Sequence, residues 1–231
     1  NETHEPPTFY GVERNEVEKN IIPSTWWEAG AGIHGHNSRG FSWDLAAHSG
    51  LSTPIEGGNA FKIRNGRQKV AEATAEDLAV TGRIRYTGIP GLELAASAQY
   101  QSDITQGLGA ESAEATLFEA HAAYQSGSGF GLRALYAVWN VDGATAEAIG
   151  RDKQEGFYIE PSFRISDKLG LFARYSEWNN EAGLSSTKAT TQFDVGVNWW
   201  LHENVVLKFD YENQGGRKDA DGFNLGLGFQ Y

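Results

Sequence analysis

The stretch TQFDVGVNWW (191–200) alternates apolar and polar residues with a period of two. Phe193, Val195 and Trp199 fall on one face of an extended chain, whereas Asp194 falls on the other. An amphipathic helix would repeat its apolar positions every three to four residues, and this stretch does not. It therefore predicts a β-strand with one apolar face and one polar face.

Ten further segments repeat this alternation. Each is close to the ~9–11 residues that a tilted β-strand needs to cross a bilayer. The eleven predicted strands cover 25–35, 40–48, 76–87, 90–100, 114–126, 129–140, 154–165, 168–178, 191–200, 205–212 and 223–231. Within the strand at 154–165, Pro161 lacks a backbone donor, so we expect a bulge or a strand end there. The fold class predicted is all-β, an antiparallel transmembrane β-barrel.

The connections between the predicted strands alternate in length. The short ones are 36–39, 87–89, 126–128, 165–167 and 201–204. The long ones are 49–75, 101–113, 141–153, 179–189 and 215–221. Outer-membrane barrels have short periplasmic turns and long external loops, whereas a soluble β-sandwich has no reason for such regular alternation. The loop lengths therefore favour an outer-membrane barrel.

Composition excludes several other classes of protein. The chain has 231 residues, no Cys, 30 acidic and 19 basic residues and a net charge of -11. The missing Cys excludes disulfides and Cys-ligated metals, and the acidity argues against a nucleic-acid partner. Mean hydropathy is -0.46, and no apolar stretch reaches the ~18–20 residues of a membrane helix. His34 and His36 share a face without a third ligand nearby, so we expect no metal site.

The stretches FARYSEWNN (172–180) and DGFNLGLGFQY (221–231), together with 6–33 and 61–100, resemble the phosphate-selective porin O and P type of Gram-negative outer-membrane porins. The resemblance is at family level and extends over essentially the whole chain. It implies a sixteen-stranded homotrimeric porin in the bacterial outer membrane, in contact with the lipid bilayer and lipopolysaccharide, that passes small solutes or ions without a cofactor. The final Tyr231 resembles the terminal aromatic residue by which barrels are recognised during assembly.

Strand parity relates this chain to the whole barrel that the resemblance implies. Bacterial single-chain barrels have an even number of strands, and eleven is odd. In a sixteen-stranded barrel, 25–35 would be the sixth strand and 1–24 the third external loop, which folds into the lumen of porins. We therefore expect one barrel domain over 1–231, in which 1–24 narrows the pore and 25–231 forms the eleven strands, the C-terminal part of the barrel.

Charged residues define the predicted pore. The expected constriction residues are Glu13, Arg14, Glu16, Glu18 and Lys19. The alternation assigns to the lumen side of the wall Glu28, Asp44, Arg83, Arg85, Glu93, Glu119, Arg133, Glu160, Arg164, Arg174, Asp194, Lys208 and Asp210. With Asp77 and Glu212, the wall would carry nine acids against six bases. Phosphate selectivity needs a dense basic track, so the ion preference stays open.

Two other functions fit parts of the sequence. A barrel hydrolase at the rim would need a nucleophile and a base, and the six histidines offer no compelling partner set, so we expect no enzyme. A soluble glycan-binding β-sandwich would fold without detergent.

The long loop 49–75 carries a run of basic residues, Lys62, Arg64, Arg67 and Lys69. This run suits an anion-attracting vestibule, a solvated loop or contact with lipopolysaccharide phosphates.

Overall fold

The computed structural model describes residues 5–230, so 1–4 of the predicted external loop and Tyr231 lie outside the described residues. Eleven strands form one antiparallel sheet in which each strand pairs with its neighbours in sequence. They are β1 (Gly30–His36), β2 (Phe41–His48), β3 (Ala79–Tyr86), β4 (Leu92–Gln101), β5 (Glu114–Gln125), β6 (Phe130–Asp142), β7 (Lys153–Ser166), β8 (Leu169–Asn179), β9 (Thr190–His202), β10 (Val205–Gly216) and β11 (Ala220–Phe229). Within 5–230 no pairing joins β1 to β11, which are the edges of the sheet.

All eleven predicted strands are confirmed, and the first is shorter than expected. β1 begins at Gly30, opposite His48, which is the last residue of β2. One more hydrogen bond joins the Ser49 amide to the Ala29 carbonyl at 2.9 Å. The chain then turns away at Gly50, whose φ is +73°. Residues 25–28 therefore have no partner strand on that side.

The two faces of the sheet differ as the alternation predicted. On β9 the side chain of Val195 is 44% exposed, whereas Asp194 and Asn198 on the opposite face are buried. On β11 Leu225 is 72% exposed on the same outward face. The outward face is thus a continuous apolar surface, and the inward face is polar.

Helices are few and short. α1 (Glu16–Asn20) lies within the predicted constriction loop, and its N-terminal turn is capped by the Asn15 side chain, which accepts from the Val17 amide at 2.8 Å. α2 (Ala144–Ala148) lies between β6 and β7. None of the helices within 5–230 has the length and apolar character that a membrane crossing requires.

Most connections follow the predicted alternation, and one does not. Short turns of two to five residues occupy 37–40, 87–91, 126–129, 167–168 and 203–204, and long loops occupy 49–78, 102–113, 143–152 and 180–189. The long loop predicted at 215–221 is wrong, because β10 and β11 are joined by 217–219 alone. Their ladder extends to Gln214 opposite Ala220, and the Asn213 side chain donates to Asp221 at 2.6 Å.

The bulge or strand end expected in β7 does not lie at Pro161, and the register with β8 shifts instead between Arg164 and Ser166. The register passes from Ile159 opposite Tyr175 to Ser162 opposite Phe172 without a shift. On the other side Pro161 stays opposite Leu132 of β6. The missing N–H therefore interrupts the ladder with β8 locally, and the strand continues through it.

The long loops pack onto the inward face at their end of the sheet. Val17 and Ile21 of the N-terminal segment join Leu51 and Ile63 of loop 49–78 in one cluster, and all four are 0% exposed. Ile104 of loop 102–113 belongs to the same cluster. Apolar burial of this kind contributes roughly 1.5–3 kcal/mol per large side chain. The cluster fixes the long loops and α1 to each other.

A buried carboxylate organises loop 102–113. Burial acts to raise the pKa of Asp103, but hydrogen bonds from the amides of Ala113, Thr105 and Gly107 outweigh it and hold that pKa below its usual value. The three N–O distances are 3.0, 2.8 and 2.9 Å. The ionised side chain thereby satisfies backbone donors that the tight loop leaves without carbonyl partners.

Adjacent residues of β4 provide a direct test of the two faces. Ala96→Arg places a charge on the apolar outward face, where a lipid-facing Arg at mid-membrane costs about 2–4 kcal/mol. Ser97→Arg places it on the inward face, where Ser97 borders a cavity. We expect Ala96→Arg to reduce heat-resistant folded protein after refolding into lipid vesicles, and Ser97→Arg to have little effect. Equal yields for the two variants would contradict the membrane-facing assignment.

Candidate functional site

Residues 5–24, called here the inner segment, lie against the polar inward face of the sheet. The wall binds this segment mainly through its backbone carbonyls. The Trp200 indole donates to the Pro7 carbonyl, and the Trp139 indole donates to the Ile21 carbonyl, both at 2.9 Å. Wall side chains therefore satisfy backbone acceptors that are shielded from water.

Strand β10 supplies two charged contacts to the same backbone. Lys208 Nζ donates to the carbonyls of Phe9 at 2.9 Å and Gly11 at 2.7 Å, and it lies 3.5 Å from the centre of the Phe9 ring. Asp210 Oδ2 accepts from the Val12 amide at 2.5 Å. Lys208 is 2% exposed. These two charges hold the inner segment and are shielded from the open space beside it.

A buried ion network lies next to these contacts. Arg174 of β8 binds Glu160 at 3.1 Å and Asp194 at 2.9 Å, and no side chain of the three is more than 5% exposed. Arg174 Nη2 also approaches the Glu13 carbonyl at 3.4 Å. Removing one member of a buried pair costs about 3–5 kcal/mol, because the other charge stays buried. The network is therefore part of the support of the inner segment.

Glycines in the wall make room for the inner segment. A Cβ at Gly228 would lie 2.2 Å from Pro6 Cβ, and one at Gly226 would lie 2.9 Å from Val12 Cγ1. Contacts under 3.0 Å force the backbone or the neighbour to move. The small residues on the inward face of β11 thus allow close packing of the N-terminal chain.

The five predicted constriction residues all lie on the inner segment, and two of them, Arg14 and Glu18, also border or contact the wall. Lys19 is paired with Glu16, and it lies 3.4 Å from Glu13, whose side chain is 64% exposed. Glu18 accepts from the Tyr158 hydroxyl of β7 at 2.8 Å. Arg14 lies over the Phe9 ring at 5.4 Å and borders a small cavity with Glu160 and Arg174. The structure therefore brings these residues to the inward side.

Opposite the inner segment, strands β2 to β6 carry a row of charged side chains, all partly exposed except the buried Glu119. This charged groove consists of Asp44, Arg83, Arg85, Glu93, Glu119, His121 and Arg133. Arg83 pairs with Asp44 at 2.9 Å, and Arg85 pairs with Glu93 at 3.6 Å. His121 Nδ1 lies 2.7 Å from Glu119. Acids and bases thus alternate along the groove.

Two cavities separate the groove from the inner segment. One, of about 490 Å³, lies near the short turns and is lined by Thr8 and Tyr10 of the segment. The other, of about 330 Å³, lies at mid-height and is lined by Glu18. Glu93 and Arg133 border both cavities. The open space on the inward side therefore follows β3 to β6.

Comparisons with known proteins fit this architecture. No protein-family model matches the chain. An uncharacterized protein of Aquifex aeolicus (strain VF5) is 28% identical over 264 residues, covering 100% of this chain and 59% of that protein. The chain thus spans about three-fifths of the length of the curated relative that it matches.

Several solved structures share the fold of this chain, although their sequence identity to it is low. The outer membrane channel DcaP of Acinetobacter baumannii has a TM-score of 0.61 at 12% identity, over 98% of this chain and 66% of that one. OmpF of Salmonella typhi has a TM-score of 0.61 at 16% identity, over 93% and 67%. The anion-selective porin from Comamonas acidovorans has a TM-score of 0.56 at 12% identity, over 85% and 53%. The fold is that of outer-membrane porins.

Within this porin fold, eleven of the thirteen predicted wall residues form two groups. Glu160, Arg174, Asp194, Lys208 and Asp210 are buried by contacts with each other or with the inner segment. Asp44, Arg83, Arg85, Glu93, Glu119 and Arg133 belong to the charged groove.

Two wall residues belong to neither group. Glu28 accepts from Trp26 and Ser49. Arg164 lies 3.8 Å over the Trp200 ring and donates to the Asp167 carbonyl at 3.1 Å.

Sequence reasoning missed His121 and the two indoles that hold the inner segment. His121 is two residues from Glu119, so the same alternation places it on the inward face. Nothing in the sequence marks Trp139 and Trp200 as carbonyl donors, because their partners are more than one hundred residues away. Within 5–230 no cluster of three His, Asp or Glu residues has a geometry that could hold a metal ion.

Two glycines of β11 test how the inner segment is held. Gly228→Ala should displace it, because the new methyl group would overlap Pro6, and overpacking costs about 1–3 kcal/mol. Gly222→Ala is the matched control on the same face, since its Cβ would lie 4.0 Å from Glu212. We expect faster hydrogen exchange at the Val12 amide in Gly228→Ala alone. Equal exchange in both variants would show that this packing does not hold the segment.

Proposed function

We propose that the protein is an outer-membrane porin, a passive diffusion channel for small hydrophilic solutes or ions. The observation that carries this proposal is the opposition of an apolar outward face to a charged inward face that borders open space. Outward residues would meet lipid, and inward residues would line water, as in membrane barrels. The fold shared with solved porins supports the same role.

The inner segment would act as the pore-constricting loop of this single barrel domain. It occupies the inward side of β7 to β11, so solutes would pass between its exposed residues and the charged groove. Glu13, Glu16 and Lys19 lie on the segment, and Arg83, Glu93 and Arg133 lie on the wall. Solute size would therefore be limited by this space.

Selectivity would follow from the charges that remain accessible. Arg174 and Lys208 are occupied with protein partners, so they would not form part of a basic track for phosphate. The groove itself has three bases, Arg83, Arg85 and Arg133, among its acids. We therefore propose weak ion selectivity rather than the phosphate selectivity of the O and P type. Lumen charges set the field that favours counter-ions.

The setting of this channel follows the family that the sequence resembles. We propose a homotrimer in the bacterial outer membrane, in contact with lipid and lipopolysaccharide. Transport would be driven by the solute gradient, with no cofactor and no catalytic step. DcaP is described as an outer membrane channel, and the Comamonas acidovorans protein as an anion-selective porin.

Conductance tests the position of the pore. Ser97→Trp would fill part of the cavity at mid-height, whereas Ala96→Trp places the same side chain on the outward face. In planar bilayers we expect Ser97→Trp to lower single-channel conductance by about half or more, and Ala96→Trp to leave it unchanged. Unaltered conductance in Ser97→Trp would exclude the groove as the permeation path.

Reversal potentials in a salt gradient test the role of the groove charges. Glu93→Gln removes a negative charge beside both cavities, and Arg133→Gln removes a positive one. We expect Glu93→Gln to shift the permeability ratio towards anions and Arg133→Gln to shift it towards cations, each by roughly twofold. Shifts in the same direction, or no shift in either variant, would contradict the proposal.

A further inference from the structure

A basic pocket lies beside the start of β1, at the long-loop end of the sheet. Its volume is about 320 Å³, and it is lined by Thr25, Trp27, Arg64, Asn65, Arg67 and Lys69. Three of these residues are cationic and none is anionic. Most charged residues of the wall are paired with an opposite charge, so this pocket is electrostatically different from the groove.

The protein backbone fixes the two arginines in this pocket. Arg64 Nη1 donates to the Lys19 carbonyl at 2.6 Å, and Arg67 Nη1 donates to the Ser24 carbonyl at 2.5 Å. Arg67 Nε also donates to the carbonyl of Arg64 at 2.9 Å. Ile63, next to Arg64, is fully buried in the loop cluster. Both guanidinium groups are therefore held in place before any ligand arrives.

Hydrogen-bond donors remain available in the pocket. Within residues 5–230, Arg64 Nη2, Arg67 Nη2 and Lys69 Nζ donate to no protein acceptor. Burial lowers the pKa of Arg67, and the charge of neighbouring Arg64 lowers it further. Two like charges are thus held close together, and a bound anion would relieve their repulsion.

Backbone strain is concentrated at the same place. Five described non-glycine residues have positive φ, and two of them, Thr25 and Lys69, line this pocket. Positive φ is unusual for a β-branched residue such as Thr25. Lys69, at φ 61° and ψ 165°, lies in a region that is almost restricted to glycine. Backbone strain of this kind clusters at ligand sites.

The pocket opens next to the apolar outward face. Glu28 points inward, where it accepts from Ser49, so its neighbour Trp27 points outward and is 51% exposed. Exposed indoles at the rim of a membrane barrel lie at the level of the lipid headgroups. Arginine and lysine at this level bind the phosphates of anionic lipids.

We propose that Arg64, Arg67 and Lys69 form a binding site for a phosphate group of a membrane glycolipid headgroup. The guanidinium groups would donate to the phosphate oxygens, Lys69 would add a third positive charge, and Trp27 would contact the upper acyl or sugar region. This proposal rests on the proposed membrane location, and it is independent of solute passage through the groove.

Lys69→Gln is the informative variant. The Lys69 side chain is exposed and makes no hydrogen bond within the described residues, so its loss should not unfold the loop. Lys188→Gln, in the exposed loop 180–189, is the control with the same change of charge. Asn65→Asp is a second variant, because it introduces a negative charge into the pocket without removing a structural contact.

The test measures binding of lipid A in detergent micelles to the full chain, with dephosphorylated lipid A and inorganic phosphate as comparison probes. We expect Lys69→Gln and Asn65→Asp to weaken lipid A binding by roughly fivefold or more, and Lys188→Gln to leave it unchanged. Dephosphorylated lipid A should bind the unaltered protein as weakly as lipid A binds the variants.

Each other outcome overturns the proposal. Equal affinity of Lys69→Gln and Lys188→Gln for lipid A would exclude the pocket, and equal affinity for dephosphorylated lipid A would exclude the phosphate. Inorganic phosphate binding as tightly as lipid A would identify a solute site instead of a lipid site. Single-channel conductance of Lys69→Gln, expected to be unchanged, separates failure of this site from failure of the porin proposal.

Discussion

The hydrogen bonds between the inward face of the sheet and the carbonyls of the inner segment are the contacts on which the rest of the structure depends. A sheet with an apolar outward face must satisfy its polar groups on the inside. In β8 to β10 this is achieved by Lys208, Asp210 and the Arg174 network. Because unsatisfied buried charges are so costly, the wall and the segment form one unit.

This attachment divides the charges of the wall by function. Those beneath the inner segment serve structure, and those of the charged groove remain beside open space. The formal count of acids and bases on the inward face therefore overstates what a solute would encounter. Arg174 illustrates the difference, since both of its carboxylate partners lie within 3.1 Å and it is nearly inaccessible.

The sequence contained enough information to predict the strands and their faces, because side chains of a strand must alternate and one face here is apolar. The segment at 191–200 and β9 show how closely pattern and structure agree. Contacts between distant parts of the chain could not be predicted in this way. Alternation predicts that Lys208 points inward, but it does not reveal that its partners are the carbonyls of Phe9 and Gly11. The short turn at 217–219 was missed because the length of the β10–β11 ladder depends on which residues pair across the two strands. The composition of the connecting residues does not reveal that pairing.

Attachment through carbonyl oxygens has a consequence for how such a channel can diversify. Every residue type offers the same carbonyl, so the hold of Trp139 and Trp200 on the inner segment does not depend on which side chains the segment carries. Exposed positions such as Glu13 can therefore be exchanged over evolutionary time while the anchoring survives. The side chains that face solutes can therefore change independently of the hydrogen bonds that hold the segment to the wall.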